Sequence, residues 1–348
     1  MNPIEKPRRP RDDGAITLQH VADLAGVHPM TVSNALKGTG RVSDITREKI
    51  QRIARELDYR PNMAARALVT GRTGSVAIST GPMSEHFYAH ILHLLEAELK
   101  TSDYKMLFLR SREIGQDLSS TLRNNSVDGV IAIDSFPDLR ELTRVSSKIP
   151  CCVYAGVFDP NDVITRPVDH IKVDLGDAVR EAIDKLLSTC ERVAYVVSND
   201  IMSDVNEVRV NVYREMMVAA GRTPEVIKLG IGGDTSRRDL TRRNMVEYLK
   251  TNPVPDGLLC QNDEMAIGVY RALRDLGLRI PDDVQLIGCD GIKDMEYFDP
   301  ALGSIVQPSE EMCALAWQFL QRRLANPELP VQEATLSARF VPRDSVKR

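Results

Sequence analysis

Hydrophobic residues in the first sixty positions recur at intervals of three and four, the period of amphipathic α-helices. Thr17 stands where it can cap a first helix, and Gly26 follows as a stop signal. Pro29 suits the first position of a second helix three residues later. The predicted apolar faces are Val21, Leu24 and Ala25 in the first helix and Val32, Ala35 and Leu36 in the second. Two short helices joined by so tight a turn are typical of a helix-turn-helix.

A third helical pattern follows two glycines. Ser43 is placed to cap it, and Pro61 is expected to end it. Its apolar stripe is Ile50, Ile53, Ala54 and Leu57. The basic residues on the polar faces of the segment are Arg41, Arg47, Lys49, Arg52 and Arg55. An ordinary solvated bundle would also carry such charges, but the turn spacing favours a small DNA-binding unit over residues 16–60.

From Gly74 onward, hydrophobic runs with the length of strands alternate with helical segments. The strand-like runs are SVAIST, KMLFLR, DGVIAID, PCCVYAG, RVAYVVS, EVIKLG, GLLCQND and VQLIGCD. Buried strands separated by helices indicate parallel sheets with helices on both faces. Because there are about twice as many strands as one such sheet needs, we expect two doubly wound lobes. A ligand cleft is expected between them, at the carboxyl ends of the strands.

Charge is distributed unevenly along the chain of 348 residues. Residues 1–72 hold 13 Lys/Arg against 8 Asp/Glu, whereas residues 73–348 hold 32 against 41. The positive charge therefore coincides with the predicted helix-turn-helix, where a polyanion would bind. Residues 1–15 are rich in Pro, Arg and Asp and are expected to form a disordered arm.

No apolar run approaches the roughly 20 residues that span a bilayer, and the N-terminus lacks the apolar core of a signal peptide. We therefore expect a cytoplasmic, nucleoid-associated protein with no membrane partner. The six cysteines show no CxxC pattern and are expected to be buried thiols. His86, His90 and His93 share a helical face whose spacing could hold a metal ion, but Glu85 is the only carboxylate beside them in the sequence. We predict neither a metal site nor a cofactor.

Short motifs run through the predicted head in a dense and ordered series: Val21-Ala22, Ala25-Gly26-Val27, Thr31-Val32-Ser33, Val42-Ser43, Thr46-Arg47-Glu48-Lys49, Leu57 with Tyr59, and Pro61-Asn62. This head resembles the lactose-repressor/galactose-repressor (LacI/GalR) family of bacterial transcription regulators. Landmarks that resemble the family's periplasmic-binding-protein-like domain follow: Asp128-Gly129-Val130-Ile131, Asn262-Asp263-Glu264-Met265-Ala266-Ile267-Gly268, Pro281-Asp282-Asp283-Val284, Ile287-Gly288-Cys289-Asp290 and Val306-Gln307-Pro308.

The resemblance implies a small all-α helix-turn-helix head joined by a hinge helix to an α/β periplasmic-binding-protein-like type I domain with two doubly wound parallel-sheet lobes. The expected divisions are the head at 16–60, the hinge helix and linker at 61–73, and an effector-binding and dimerisation domain at 74–345. Within that domain we assign the N-lobe to about 74–171 and 304–333, and the C-lobe to about 172–303 and 334–345. No leucine heptads follow Phe340, so a homodimer is expected.

By resemblance, the start of the second helix enters the major groove of double-stranded DNA. Pro29, Met30 and Asn34 stand where the family reads base edges, and His28 replaces the usual capping serine. The remaining expected contacts are Thr17, Thr31, Ser33, Thr46 and Arg47 in the head and Asn62, Ala65 and Leu68 in the hinge helix. Leu68 looks like the residue that the family wedges into the minor groove, although an alanine-rich linker helix would fit the composition equally well. Two heads related by twofold symmetry imply a pseudo-palindromic operator.

The resemblance also implies an effector site. Arg209 looks like the family's effector-binding arginine and Asp290 like its acceptor carboxylate, a pair that suits a sugar-like polyol. The expected contacts are His86, Phe87, Arg209, Asn262, Asp290 and Gln307. Asn262 could instead tie down a turn, and Gln307 could serve the crossover between the lobes. The departures from the family pattern are Ala155, Ser236 and Cys289, and the aromatic residues that could replace its stacking surface are Phe87, Tyr88, Tyr154 and Phe158.

Two other classes of protein share parts of this pattern. A periplasmic sugar-binding protein would have the lobes without the head. An enzyme would need catalytic groups, yet the sequence has no GxSxG, no P-loop and no GxGxxG that opens a helix, so no catalytic residue is predicted. We expect a repressor of carbohydrate-metabolism genes whose operator affinity is controlled by a small polar effector. The alternative is a cytoplasmic sugar-binding protein or enzyme with an accessory DNA-binding head.

Overall fold

The computed structural model describes residues 16–59, 71–109, 127–134, 151–158, 168–198, 207–230 and 237–347. The chain divides into two compact units, Met1–Thr73 and Gly74–Arg348. The predicted arm at 1–15, the hinge residues Asn62, Ala65 and Leu68, and Ser236 lie outside the described residues. Within the described ranges, no helix is both long enough and apolar enough to cross a membrane.

The first unit contains the three helices that the hydrophobic pattern predicts, α1 Leu18–Ala25, α2 Pro29–Lys37 and α3 Asp44–Glu56. Thr17 caps α1 by accepting a hydrogen bond from the His20 backbone N–H, and Gly26 ends the helix at a φ of 67°. Ser43 caps α3 by accepting from the Thr46 backbone N–H at 3.3 Å. The caps predicted at both helices are therefore confirmed.

The core of this unit differs from the predicted faces at Leu24. The buried side chains are Val21, Ala22, Ala25, Val32, Ala35, Ile50 and Ala54. Leu24 is 57% exposed, because Val21, Ala25 and Ala22 fill an arc of roughly 100° and Leu24 lies beyond its edge. The end of α3 also differs: the helix ends at Glu56, since Asp58 turns the chain with a φ of 47° before Pro61 is reached.

The second unit contains two six-stranded sheets. Their orders are β11-β5-β4-β3-β1-β2 and β12-β10-β9-β8-β6-β7. The strands are β1 Ser75–Ser79, β2 Lys105–Leu109, β3 Gly129–Ile133, β4 Cys151–Gly156, β5 Asp169–Asp174, β6 Val193–Ser198, β7 Glu225–Leu229, β8 Gly257–Cys260, β9 Gln285–Asp290, β10 Gly303–Val306, β11 Glu333–Ser337 and β12 Arg339–Val341. Every neighbouring pair is parallel except β10 with β12. The predicted pair of doubly wound lobes is confirmed.

Helices cover both sheets. They are α4 His86–Leu99, α5 Gly176–Leu187, α6 Val208–Ala219, α7 Arg237–Thr251, α8 Asp263–Asp275 and α9 Ser309–Ala325, with a short 3₁₀ helix at Lys293–Tyr297. The α9 helix packs on β3, β4 and β5 of the first sheet, whereas α5 and α8 pack on the second. All six cysteines are free thiols; Cys151 is half-buried and the others are buried.

Four strands lack the hydrophobic run that revealed the other eight. β5 alternates Ile171 and Val173 with polar residues, and β10 has only four residues. β11 and β12 are edge strands, and only one side chain of the two strands, Leu336, is buried. A strand that is buried on one face only, or that lies at a sheet edge, has no continuous apolar segment. The sequence pattern therefore does not predict these strands.

The path of the chain between the sheets corrects the lobe boundaries. The chain crosses after β5, after β10 and after β11. Residues 304–306, which the sequence assigns to the N-lobe, lie in β10 of the second sheet. Residues 172–174 and 334–337, which it assigns to the C-lobe, lie in β5 and β11 of the first sheet. The reason is that β10 completes the second sheet beside β9 before the chain crosses back to α9.

Candidate functional site

The second helix of the head begins with an unusual cap. The His28 side chain accepts a hydrogen bond at Nδ1 from the Met30 backbone N–H at 3.2 Å, and Pro29 occupies the first helical position. An imidazole nitrogen can thus supply the acceptor that a serine hydroxyl usually provides. The loss of the family's serine at position 28 does not leave α2 uncapped.

The residues predicted to read base edges lie in the first two turns of α2. Met30 is 63% exposed, and Pro29 and Asn34 are half-buried. The Asn34 amide lies against Gly40, where an added Cβ would come within 2.8 Å of Nδ2. The loop between α2 and α3 therefore needs glycine at position 40 to leave room for the Asn34 side chain.

The predicted phosphate contacts lie at or near helix starts of the same unit. Thr31 and Ser33 are half-buried on α2, and Thr46 and Arg47 are half-buried in the first turn of α3. Thr17 is committed to the α1 cap through its hydroxyl. Helix N-termini carry partial positive charge and unpaired N–H groups, which suit phosphate oxygens.

A polar cavity of about 180 Å³ lies between the two lobes of the second unit. Its lining is Pro82, Glu85, Phe87, Tyr88, Asp134, Phe158, Ser198, Arg209, Arg237, Gln261, Asn262, Asp290 and Gln307. Most of these residues lie at or just beyond the carboxyl ends of parallel strands, where ligands of doubly wound sheets bind. Five of the six predicted effector contacts, Phe87, Arg209, Asn262, Asp290 and Gln307, meet on this wall; His86 does not line it.

Arg209 is held rigidly at the cavity by the start of α6. Its Nε donates to Glu207, and its Nη1 donates to the Gln261 carbonyl at 2.5 Å. Glu207 also accepts from the Tyr195 hydroxyl at 3.1 Å. Burial opposes the charge of Arg209, but Glu207, aided by Tyr195, Cys289 and Asp290, keeps its pKa well above the usual range. The guanidinium is therefore a fixed cationic donor.

Asp290 ends β9 with a strained φ of 125°. Its Oδ1 accepts a hydrogen bond from Gln307 Nε2 at 2.9 Å, which joins the ends of β9 and β10. The turn that follows is tied down by Asp263, whose Oδ2 accepts from the backbone N–H groups of Gly291 at 2.7 Å and Ile292 at 2.8 Å. Burial, reinforced by the nearby Asp263 carboxylate, raises the pKa of Asp290 well above its usual range.

Asp134 is a cavity residue that the sequence analysis missed. It follows β3 at a φ of 47°, and its Oδ1 accepts from the Val157 backbone N–H at 3.0 Å. Gly156 makes room for it, since a Cβ there would stand 2.1 Å from Asp134 Oδ1. Burial raises the pKa of Asp134 to about 6, against lowering contributions from Val157 and Arg209. Its place directly after a buried strand is the signal that could have revealed it.

Asn262 has a structural role in addition to lining the cavity. Its Oδ1 accepts from the Met265 backbone N–H at 2.9 Å and so caps α8. Phe87, Tyr88 and Phe158 supply aromatic surface to the cavity, whereas Tyr154 is fully buried outside it. Of the aromatic residues proposed to replace the stacking surface, three therefore lie in place.

His86 belongs to a group of charged residues that connects the lobes beside the cavity. Its Nδ1 lies 3.2 Å from Glu264 Oε1 and 2.8 Å from Arg238 Nη2, and its Nε2 lies 3.7 Å from Asp294 Oδ2. Next to it, Arg237 Nε of the second lobe donates to Glu85 Oε1 of the first at 2.7 Å. These contacts were missed by sequence reasoning because their partners are far apart in the chain. Among the described residues, no cluster of His, Cys, Asp and Glu is suited to hold a metal ion.

Comparison with known proteins accounts for both units. Residues 17–62 match the family "Bacterial regulatory proteins, lacI family", and residues 183–346 match "Periplasmic binding protein-like domain". The chain is 30% identical over 98% of its length to the HTH-type transcriptional regulator CelR of Thermobifida fusca, all of which is covered. The chain belongs to the LacI family of bacterial regulatory proteins.

Other relatives agree with this assignment. Catabolite control protein A of Staphylococcus epidermidis is 27% identical, covering 90% of this chain and 94% of that protein. A solved structure of the transcriptional regulator CelR in complex with cellobiose has a TM-score of 0.66 and 28% identity, covering 95% of this chain and 99% of that one. The Lac repressor dimer bound to operator and the anti-inducer ONPF shares the fold, with a TM-score of 0.76 at 22% identity over 95% of this chain and 99% of that one.

Proposed function

We propose that this LacI-family regulator represses carbohydrate-metabolism genes and that a small sugar-like effector between the two lobes controls its operator affinity. The observation that carries the proposal is the polar cavity at the strand ends, in a chain that also has a helix-turn-helix head. A ligand that touches both lobes can favour one lobe arrangement over another, and it shifts that equilibrium only through its differential affinity for the two.

The cavity chemistry supports a sugar-like ligand. Arg209 is a fixed donor, Asp290 and Asp134 are acceptors, and Gln307 offers an amide. Hydroxyl groups both donate and accept, so a polyol can satisfy all of these groups together. The relative CelR forms a complex with cellobiose, which is consistent with a carbohydrate in this cavity.

The head supplies the proposed DNA contacts. Pro29, Met30 and Asn34 read base edges from α2, and the expected phosphate contacts are Thr17, Thr31, Ser33, Thr46 and Arg47. Asn62, Ala65 and Leu68 form the proposed minor-groove contact, with Leu68 as the wedge. Two copies of the chain act as a homodimer on a pseudo-palindromic operator, as the dimeric Lac repressor does on its own operator.

The protein works without catalysis in this proposal, and it acts in the cytoplasm, where the nucleoid is. The enzyme alternative needs a group that breaks or forms a bond in the cavity. Its acids and bases, Asp134 and Asp290, are explained as hydrogen-bond acceptors for an effector. A turnover assay on any sugar found to bind tests this directly, because consumption of the sugar would favour the enzyme.

The test is operator binding with and without sugars. An operator is first selected from random-sequence DNA with the purified protein. A panel that includes cellobiose, ribose, glucose and glucosamine is then titrated against the complex. We expect binding to a pseudo-palindrome that weakens steeply with salt, because counterion release supplies much of the affinity, and a change in that binding with at least one sugar. Salt-independent binding, or a complex that no sugar affects, would contradict the proposal.

Asp290→Asn is the informative variant. Asparagine keeps an oxygen for Gln307 but removes the charged acceptor, so effector affinity should fall by about tenfold to a hundredfold while effector-free operator binding is kept. Asp177→Asn, an exposed change in the first turn of α5, serves as the control. Arg209→Ala is a poorer choice, because it leaves the buried Glu207 carboxylate without its cation, at a cost on the order of 3–5 kcal/mol.

A further inference from the structure

The described residues that line the effector cavity carry more negative than positive charge. They include three carboxylates, at Glu85, Asp134 and Asp290, against two guanidiniums, at Arg209 and Arg237. Both guanidiniums are already paired, Arg237 with Glu85 at 2.7 Å and Arg209 with Glu207. Within the described part of the chain, Asp134 and Asp290 have no ion-pair partner. Both aspartates are half-buried, and a partly desolvated carboxylate is stabilised as an anion when a cation or several donors accompany it.

The neutral partners of the two aspartates are few. Asp134 accepts from the Val157 backbone N–H, and Asp290 accepts from the Gln307 amide. Each carboxylate can accept about four hydrogen bonds, so each has acceptor capacity beyond the bonds that the described residues make. Burial raises the pKa of both groups, and the nearby Arg209 guanidinium offsets only part of that effect.

Two other polar atoms of the cavity are buried and have no hydrogen-bond partner among the described residues. Gln307 is 4% exposed, and its Oε1 accepts no hydrogen bond from the described residues. Ser198 is 1% exposed, and its Oγ has no partner among them. In native proteins most buried polar atoms have a partner, which can be a protein group, an ordered water or a ligand. Asp134, Asp290 and the Gln307 Oε1 atom can each accept further hydrogen bonds, so a ligand rich in donors suits this cavity.

Aromatic surface completes the lining. Phe87, Tyr88 and Phe158 border the same space. Burial raises the pKa of the Tyr88 hydroxyl, and the charges of Asp134, Glu85 and Asp290 raise it further. Ammonium groups bind where ring faces and carboxylates meet. An ammonium also has three donors and no acceptor, which is the complement of this cavity.

We propose that the effector is an amino sugar, a single-ring polyol whose ammonium group binds between Asp134 and Asp290. This inference rests on the proposed function, since it names the class of effector for the same cavity. The volume of about 180 Å³ is smaller than the roughly 300–1,000 Å³ of cavities that hold drug-sized ligands, so one sugar ring fits better than two. The hydroxyl groups of the ring face Asn262, Ser198 and Gln307, and the ammonium supplies the charge that the walls lack.

The test compares matched sugars by isothermal titration calorimetry at pH 7. Glucosamine, galactosamine and mannosamine are each measured beside the N-acetyl derivative and the parent hexose, which keep the ring but lack the charge. At least one amine should bind tenfold or more tightly than both of its neutral counterparts. Asp134→Asn and Asp290→Asn should each remove most of that preference, whereas Asp177→Asn should keep it; far-UV circular dichroism confirms that each variant is folded.

The outcomes separate this inference from the proposed function. If a neutral hexose binds as tightly as its amine, or if none of the three amines binds, the amino-sugar inference is overturned, while release of operator by a neutral sugar still supports a sugar-responsive repressor. If an amine binds with the expected preference and operator binding is unchanged, the assignment of an amino sugar to this cavity stands, but its role as effector and the proposed function fail. Retention of the amine preference in both aspartate variants would also overturn the inference.

Discussion

At the scale of single residues, polar groups that can bind a ligand in the cavity lower the free energy of unfolding of the protein without ligand. Asp134 is half-buried beside Tyr154, Gly156 and Val157, and desolvation raises its pKa from 3.8 to about 6. The native state therefore holds a proton on Asp134 over a pH range in which the unfolded chain has released it. By linkage, this group lowers the free energy of unfolding as pH rises from about 4 to 6, and the loss is complete above that range.

Asp134→Asn should stabilise the effector-free protein in a pH-dependent way. Asparagine does not titrate and can still accept from the Val157 N–H, so the variant and the parent should unfold alike near pH 4. The variant should gain on the order of 1–2 kcal/mol by pH 7. Urea unfolding at pH 4.5, 5.5 and 7.0 measures the difference, with Asp177→Asn as the exposed control. A difference that shrinks as pH rises would contradict the assignment of the raised pKa to Asp134.

The sequence identified part of this site and not the rest for a physical reason. Asp290 and Gln307 stand in short motifs of the chain, and Arg209 is found by its resemblance to the family's effector-binding arginine. Asp134 follows a strand as Asp290 does, but it lies in no motif that marks it. The ion pair between Glu85 and Arg237 joins residues 152 positions apart. Such a pair depends on how the lobes meet, which hydrophobic periodicity does not encode.

At the scale of elements, the turn between α2 and α3 influences how α2 presents its side chains. Gly40 has a φ of 73°, and a Cβ there would lie 2.8 Å from Asn34 Nδ2 and 3.1 Å from Cγ. Gly26, which ends α1 at a φ of 67°, has open space around it. The two glycines therefore share a left-handed backbone and differ in whether a side chain would displace a proposed base-reading residue.

Gly40→Ala should weaken operator binding more than Gly26→Ala does. Both changes place alanine in the left-handed region and should lower stability by about 1 kcal/mol. Only the change at Gly40 pushes the Asn34 amide aside, and loss of a paired contact to a base is worth roughly 1–3 kcal/mol. Fluorescence anisotropy should show at least a fivefold further loss of operator affinity for Gly40→Ala. Equal losses in the two variants would argue that Asn34 does not read a base.

The sequence predicts a helix or a strand correctly where its buried residues form a periodic or unbroken apolar pattern. The three head helices and eight of the strands follow from periodic or unbroken apolar residues. The four missed strands, β5 and β10 to β12, are short, one-sided or at a sheet edge. Their assignment depends on a neighbouring strand that supplies hydrogen bonds. For the same reason, the sequence misplaced the lobe boundaries around residues 304–306 and 334–337.

At the scale of the whole effector-binding unit, two kinds of connection hold the lobes. The chain crosses between them three times, and these crossovers permit rotation of one lobe against the other. On the cavity side, Glu85 and His86 of the first lobe contact the side chains of Arg237, Arg238 and Glu264 of the second. Glu85 and Arg237 are only 10% and 21% exposed in their side chains. Charges so well shielded interact more strongly than surface pairs.

These interlobe contacts should favour a closed arrangement before any effector binds. Glu85→Gln removes the charge opposite Arg237, which should raise the free energy of the closed lobes by roughly 1–3 kcal/mol. Effector affinity should fall by about fivefold to a hundredfold, because the ligand must then supply the energy of closure. Without effector, small-angle X-ray scattering should show a larger radius of gyration. The matched control is Glu247→Gln, which breaks the exposed 2.6 Å pair of Glu247 with Lys250 inside α7 and leaves the interlobe contacts intact.

His86→Ala distinguishes closure from direct contact with the effector. Glu85 lines the cavity, so the loss of effector affinity in Glu85→Gln could arise from the ligand itself, whereas His86 does not line it. His86→Ala removes only the imidazole contacts with Glu264, Arg238 and Asp294. If the interlobe contacts determine how much of the protein has closed lobes, this variant should also have a larger radius of gyration without effector and a lower effector affinity. Both changes should be smaller than in Glu85→Gln, because the His86 backbone N–H still donates to Glu264 at 3.0 Å. An unchanged radius of gyration in both variants would mean that packing along the crossovers, and not these charges, holds the lobes together.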